Sequence, residues 1–461
     1  DENYLLTNES ATRIFKEIKD LPILDVHNHA DAEEIVKNDN YSDVWQVMAA
    51  TDHYVWEVER KCGVPEKFIT GAASNKEKWM KLCEVFEDLV GNPCYEWIHL
   101  DFKERLGITD LICSENAESL WKKGNEVLAQ DNKRPQQLLK EMNVESFCTT
   151  NNPIDMLEWH KKLAAEVGKG YMRPTWRPDK FSNISKPEWL DYIKKLSKRV
   201  NKEIKDIDDL VAALRTTHDY FAENGCIATD HGVEVPFGYK IDKQIANQVM
   251  QKRLKGDGLD ELEIAAYMSY MLHEYGKMNA EKGWVMQIHL GAVRDVRDSL
   301  FEMIGPDSGG DVSDHTIEIL DPLIDFLNAF DEHNGHVEEK YRGLKVVLYC
   351  LEPHHQATLA TLSRAFGKNV TMGSAWWFND TPIGMKRQLE YIMSVDVLTN
   401  FAGMVTDSRK IMSYGSRTEM FRRVLSDVLG GMVEKGQMPE TLAIKAAKRV
   451  CYAGPKRFFG F

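Results

Sequence analysis

Eight short apolar runs, at 21–26, 144–149, 170–176, 226–230, 284–290, 344–350, 369–374 and 400–406, recur along this chain. Between them lie segments with helical periodicity, such as 154–167, 208–223, 261–281, 317–330, 355–366 and 384–394. Short apolar runs bounded by turn residues read as buried strands, and parallel neighbours can be joined only by a crossover. Eight strand–helix units therefore predict an α/β fold, a closed (β/α)8 TIM barrel. An amphipathic helix at 8–19, with Ala11, Ile14, Phe15 and Ile18 at helical spacing, leads into the first strand.

One stretch does not fit the alternation. Residues 36–125 are rich in Trp, Lys and Glu, have helical character, and are too long for a single crossover. The expected organisation is an N-terminal helix and first strand over 1–35, an inserted helical subdomain over 36–125, and the rest of the barrel over 126–461. The Gly- and Asp-rich region 300–316 reads as a long loop after strand five, lying over the face where barrel strands end.

The balance of charge narrows the partners. A net charge of −14 argues against nucleic acid and against an anionic membrane, since either calls for clustered Lys and Arg. No window approaches the eighteen consecutive apolar residues of a spanning helix, and the first twenty residues lack a signal-peptide core. Eight cysteines are scattered without a C-x-x-C pair, which suggests a reducing cytoplasm rather than a disulfide framework or zinc ribbon.

The sharpest chemical signal is His27-x-His29 after the first strand. Residues two apart on a strand share a side and can share one metal ion. Such a pair alone says little, but barrel strand ends converge on one site, and others here also end in polar groups. Strand three ends in Arg177, strand four in Asp230-His231, strand five in His289, and strand eight in Asp407-Ser408-Arg409. His27, His29 and Asp407 make a two-imidazole, one-carboxylate set suited to one divalent ion, zinc or similar. The bland alternative is a pair of hydrogen-bonded loop histidines and a helix-capping Asp407.

Several further positions have two readings. His289 is a ligand or proton-transfer group, or a buried histidine satisfied by a neighbour. His231 shares that ambiguity, with Asp230 placed to orient it. Arg177 and Arg409 end strands and offer forks for a carboxylate, with Arg294 a weaker third. Trp376 and Trp377 either wall a pocket or belong to the core.

Together these residues resemble a known family. Asp25-Val26-His27-Asn28-His29, Thr51-Asp52-His53-Tyr54-Val55-Trp56, Gly91-Asn92-Pro93-Cys94-Tyr95-Glu96-Trp97, Thr175-Trp176-Arg177-Pro178, His289-Leu290-Gly291-Ala292-Val293-Arg294, Gly309-Gly310-Asp311, Trp376-Trp377-Phe378 and Thr406-Asp407-Ser408-Arg409 resemble, in order, uronate isomerases, a divergent branch of the amidohydrolase superfamily. The resemblance implies cytoplasmic exchange of D-glucuronate with D-fructuronate and of D-galacturonate with D-tagaturonate through a cis-enediol. It implies that His27, His29 and Asp407 hold the metal and that His53 and Tyr54, from the inserted segment, reach the site with Arg177 and Arg409. It implies a small hexuronate substrate and, as for many acidic barrel enzymes, a homo-oligomer. No Lys ends strand four to bridge two metals, so a mononuclear site follows, and His354 and His355 stay outside the ligand set.

Aldose–ketose exchange needs a base near C2 and an electrophile at the oxygens. Tyr54 or Asp407 would move the C2 proton, the metal or Arg409 would stabilise the enediolate, and His53 or His289 would manage the oxygens. Tyr54 serves as base only if a cation such as Arg409 lowers its pKa. The alternatives are an amidohydrolase-type hydrolase, a decarboxylase of like architecture, and a sugar-acid binder without catalysis.

Overall fold

The computed structural model describes residues 2–461. Seven strands form one parallel sheet: β1 (Ile23–Asn28), β2 (Val144–Asn151), β3 (Met172–Trp176), β4 (Ala228–Val233), β5 (Val285–Leu290), β8 (Lys345–Cys350) and β9 (Val370–Met372), in the order β1-β2-β3-β4-β5-β8-β9. β6 (Ala292–Val293) and β7 (Val312–Ser313) form a separate antiparallel pair. The strand interiors are almost wholly buried, as expected where helices cover a parallel sheet.

The sheet is curled. Gln287 on β5 donates to the Val26 carbonyl on β1 at 2.9 Å, although four pairings separate these strands in the order. The Tyr349 hydroxyl on β8 donates to Gln287 Oε1 at 2.8 Å. In register, Asp230 pairs with Gln287, and Gly232 and Tyr349 pair with His289. Paired positions in a parallel sheet share a face, so these side chains line the inside of the curl.

Seven of the eight expected strands are present within a few residues. The eighth, at 400–406, is irregular. Gly403 (φ 99°) and Asp407 (φ 49°) are left-handed, which interrupts an extended run. A Cβ at Gly403 would lie 2.4 Å from Pro455, so only glycine fits that approach. The segment nevertheless bonds to both edges of the sheet. Ala402 N–H donates to the Met372 carbonyl of β9 at 3.1 Å, Asp407 N–H to the His27 carbonyl of β1 at 3.2 Å, and His29 N–H to the Ser408 carbonyl at 2.9 Å.

Between β1 and β2 lie seven α-helices, Ala32–Lys37, Val44–Met48, His53–Lys61, Asn75–Val85, Pro93–Leu106, Ala117–Leu128 and Pro135–Glu141. Positions 36 and 125 both fall inside helices. Local chemistry sets several helix ends. Asp52 accepts from Tyr54 N–H at the start of His53–Lys61, Ser74 and Glu77 form a capping box, and Pro93 opens the helix that Gly107 closes. Trp45, Trp79 and Phe102 of this segment join the same continuous core as Val26, Phe147 and Ile288 of the strands. The region expected as a loop at 300–316 is partly regular, containing the end of helix Asp298–Ile304 and β7. No helix among the described residues is long and apolar enough to cross a membrane.

Glu59, on helix His53–Lys61, is buried with neither carboxyl oxygen hydrogen-bonded among the described residues. Burial, opposed by Arg60 and reinforced by Glu66, pushes its carboxyl up to about 9. The folded protein thus keeps a proton that the unfolded chain releases near pH 4.5, and stability is lost as pH rises between those two values. Glu59→Gln should remove this slope, leaving the variant with a Tm above the parent at about pH 8.5 and a smaller difference at about pH 6. Parallel Tm–pH curves for the two proteins would refute the assignment.

Candidate metal centre and its surroundings

β1 presents His27 inward, and His29 follows on the same side just beyond the strand. Asp407 stands opposite, its Oδ1 3.3 Å from Nε2 of each histidine. The Asp407 backbone is held in the left-handed region by its N–H bond to His27, strain of the kind that concentrates at functional sites. Its other oxygen, Oδ2, accepts the Tyr54 hydroxyl at 3.2 Å. Two imidazoles and one carboxylate each offer one atom, all within 4.8 Å of one another, a donor set that fits one divalent cation with positions left for substrate.

A second group lies behind His27. Its Nδ1 is 3.5 Å from Asp230 Oδ2, while Asp230 Oδ1 is 2.8 Å from His289 Nδ1 and Arg177 donates to Oδ2 at 3.0 Å. His27, Asp230 and His289 also converge within 4.8 Å. Since His27 turns one nitrogen to each group, Asp230 is placed to orient the ring while its other nitrogen faces the first set. Gly232 makes room for Arg177, as a Cβ there would lie 2.4 Å from the guanidinium.

The electrostatics follow from burial against these contacts. Burial would raise Asp230 and Asp407, but Arg177, His27 and His289 hold Asp230, and His27 and His29 hold Asp407, well below the usual carboxylate range. Burial pushes His29 down to about 4 against the pull of Asp407. Burial, reinforced by His27, pushes His289 to about 4 despite Asp230. His27 behaves oppositely, because Asp230 and Asp407 outweigh burial and raise it. Burial and Asp407 raise Tyr54 well above 10, with the neighbouring Arg417 only partly opposing, and the phenol donates to Asp407. The opposing cation is Arg417, not Arg409.

The structure brings most of the sequence candidates together. His53 stacks on Tyr54 with ring centroids 4.7 Å apart, and its Nδ1 lies 3.1 Å from Glu57. Trp376 packs 4.6 Å from His289, and Trp377 lies 5.5 Å from His53; both are buried and both have positive φ. Both belong to the hydrophobic core. Arg294 stacks over Trp377 and bonds Asp311 at 2.9 Å. Arg409 lies 3.6 Å from Asp307, which is also 3.8 Å from Arg294.

Two further candidates have partners of their own in the structure. His231 does not face this group, because β4 turns Asp230 inward and its successor outward. His231 bonds Thr229 Oγ1 at 2.8 Å and stacks on Tyr275 of helix Glu261–Lys282. Arg177 reaches the site but is committed to carboxylates of the protein itself, Asp179 at 2.6 Å and Asp230. His354 and His355 open helix His355–Phe366, as expected. Sequence reasoning missed Asp230 in its own right, along with Arg417, Glu57 and Asp307. Strand parity signalled only Asp230.

Comparison with known proteins gives a consistent picture. The profile of a family described as glucuronate isomerase matches residues 1–459. A uronate isomerase of Thermotoga neapolitana is 49% identical over 458 residues, 99% of each chain. The crystal structure of uronate isomerase from Thermotoga maritima superposes with a TM-score of 0.95 at 49% identity, covering 100% of this chain and 99% of that one. Glucuronate isomerase from Caulobacter crescentus has the same fold, with a TM-score of 0.93 at 24% identity over 100% and 96% of the two chains.

The two β4 neighbours separate experimentally. Asp230→Asn should weaken divalent-metal binding about 10- to 100-fold by releasing His27, whereas His231→Gln should leave it within about 2-fold. Metal titration of the apo proteins decides, and equal effects of the two substitutions would sink the assignment of Asp230.

Proposed function

Because this chain belongs to the uronate isomerase family, we propose that it exchanges D-glucuronate with D-fructuronate and D-galacturonate with D-tagaturonate through a cis-enediol. Family membership makes it an aldose–ketose isomerase and sets aside the hydrolase, decarboxylase and binder alternatives. The observation that carries the residue assignment is the division of Asp407, with one oxygen toward His27 and His29 and the other on the Tyr54 hydroxyl.

His27, His29 and Asp407 would hold the ion, zinc being favoured by the nitrogen-rich donor set. When bound, the metal would polarise the substrate oxygens. Asp407 takes the C2 proton as the C2–H electron pair forms the C1–C2 double bond, while the proton on O2 passes through His289 to O1. Asp407, after exchanging that proton with solvent, protonates C1 as the O2 electron pair forms the C2 carbonyl. Tyr54, held protonated, donates to Asp407 and stays out of the base role. His289 carries the proton between O2 and O1, a role supported by its Nδ1 on Asp230 and its Nε2 left without a partner among the described residues. Arg409, with Arg294, receives the substrate carboxylate in place of Asp307. His53 and the two tryptophans wall the site.

The finer architecture belongs to the same reading. Residues 401–408 take the place of an eighth strand and close the sheet into a (β/α)8 barrel, supported by their bonds to β1 and β9. The helices of 36–125 act as an inserted cover, supported by Tyr54 on Asp407 and by Arg60 donating to the Ser308 carbonyl. A cytoplasmic setting, supported by eight free thiols, and self-association complete it.

Incubation with D-glucuronate in deuterium oxide, followed by NMR, should give ketose carrying deuterium at C1, lost after EDTA treatment and restored by zinc. No ketose from either glucuronate or galacturonate with metal present would overturn the substrate assignment. Arg409→Met should lower kcat/KM by about 100-fold while changing Tm little; unchanged turnover would remove Arg409 from the site.

A further inference from the structure

We infer that Arg417 is the positioning residue for the Tyr54–Asp407 hydrogen bond, holding both of its partners at once. Arg417 lies on helix Ser413–Glu434 and is only 1% exposed. Its guanidinium sits between two aromatic rings, 4.5 Å from the Tyr54 centroid and 4.2 Å from that of Trp97 on helix Pro93–Leu106. Those rings stand edge to face, 5.8 Å apart at 90°. One nitrogen donates to the Thr406 carbonyl at 2.9 Å, and Nε has no hydrogen-bond partner among the described residues.

A buried guanidinium with an unbonded nitrogen is costly to keep, and its neighbours suggest what it does. The Tyr54 backbone is fixed by its N–H bond to Asp52, but that bond leaves the side-chain torsions free. The cation against its ring restricts them and directs the hydroxyl to Asp407. On the other side, Thr406 is the residue before Asp407, so the bond to its carbonyl anchors the backbone that carries the carboxylate. One side chain thereby joins the helical segment to the strand-end segment at the point where proton transfer is proposed. A misplacement of about 1 Å there is enough to lower turnover about 100-fold.

This inference rests on the role proposed for Tyr54, and a double-mutant cycle separates the two. In the metal-loaded full chain with D-glucuronate, Arg417→Met should lower kcat about 10- to 100-fold with KM within about 3-fold and metal content unchanged. In a Tyr54→Phe background, the same substitution should cost at least about 5-fold less than in the parent, because no hydroxyl is left to position and only the Thr406 anchor is lost. Multiplying losses in the double variant would overturn the inference while leaving Tyr54 in place. A fully active Tyr54→Phe variant would overturn the role of Tyr54 and this inference with it. Should Arg417→Met not fold, Arg417→Lys keeps the charge without the planar fork and reads the same cycle.

Discussion

The carboxylate of Asp407 holds the site together. It meets the two histidines at the end of β1 with one oxygen and the phenol of Tyr54, 353 positions earlier in the chain, with the other. Its backbone bonds back to β1, so the contact that assembles the metal ligands also attaches the irregular segment 401–408 to the sheet. Chemistry and architecture share one joint, and the left-handed backbone at Asp407 is tolerated because its neighbours on both sides fix it.

Around that joint the protein buries an unusual number of charges and pairs them closely. Asp230 has Arg177 and two histidines against it, and Lys410 lies 3.3 Å from Asp52 and 3.9 Å from Asp101. Buried ion pairs contribute little net stability, since desolvation offsets most of the attraction, but breaking one leaves an uncompensated charge. Such a network specifies geometry more than it strengthens the fold. Lys410 also pairs with the carboxylate that caps the helix bearing His53 and Tyr54.

A protein of net charge −14 repels anions at long range, so any anionic substrate must be drawn by local cations. Arg294 and Arg409 already face Asp307 and Asp311, from the segment between β6 and β7. An internal carboxylate in that place keeps both arginines compensated. Arg177 is bound to two carboxylates of the protein itself, Asp179 and Asp230.

Much of this was legible in the sequence, because it is written at short range. Apolar runs and helical periodicity located seven strands and the helices between them to within a few residues, and the spacing of His27 and His29 on a strand end marked the candidate metal centre. The direction of one side chain was less secure: Asp230 and His231 are adjacent, only one can face inward, and strand parity depends on where β4 begins. His53 and Tyr54 were found by family resemblance alone, since nothing in a helical segment after β1 says which residue turns back to the strand ends. Arg417 and Asp307 left no signal, and the eighth strand gave way to an irregular segment at Gly403 and Asp407. Periodicity and residue chemistry are local properties that a sequence determines by itself, whereas which buried charges meet, and which carboxylate each arginine faces, depends on contacts between distant segments that exist only once the sheet has curled.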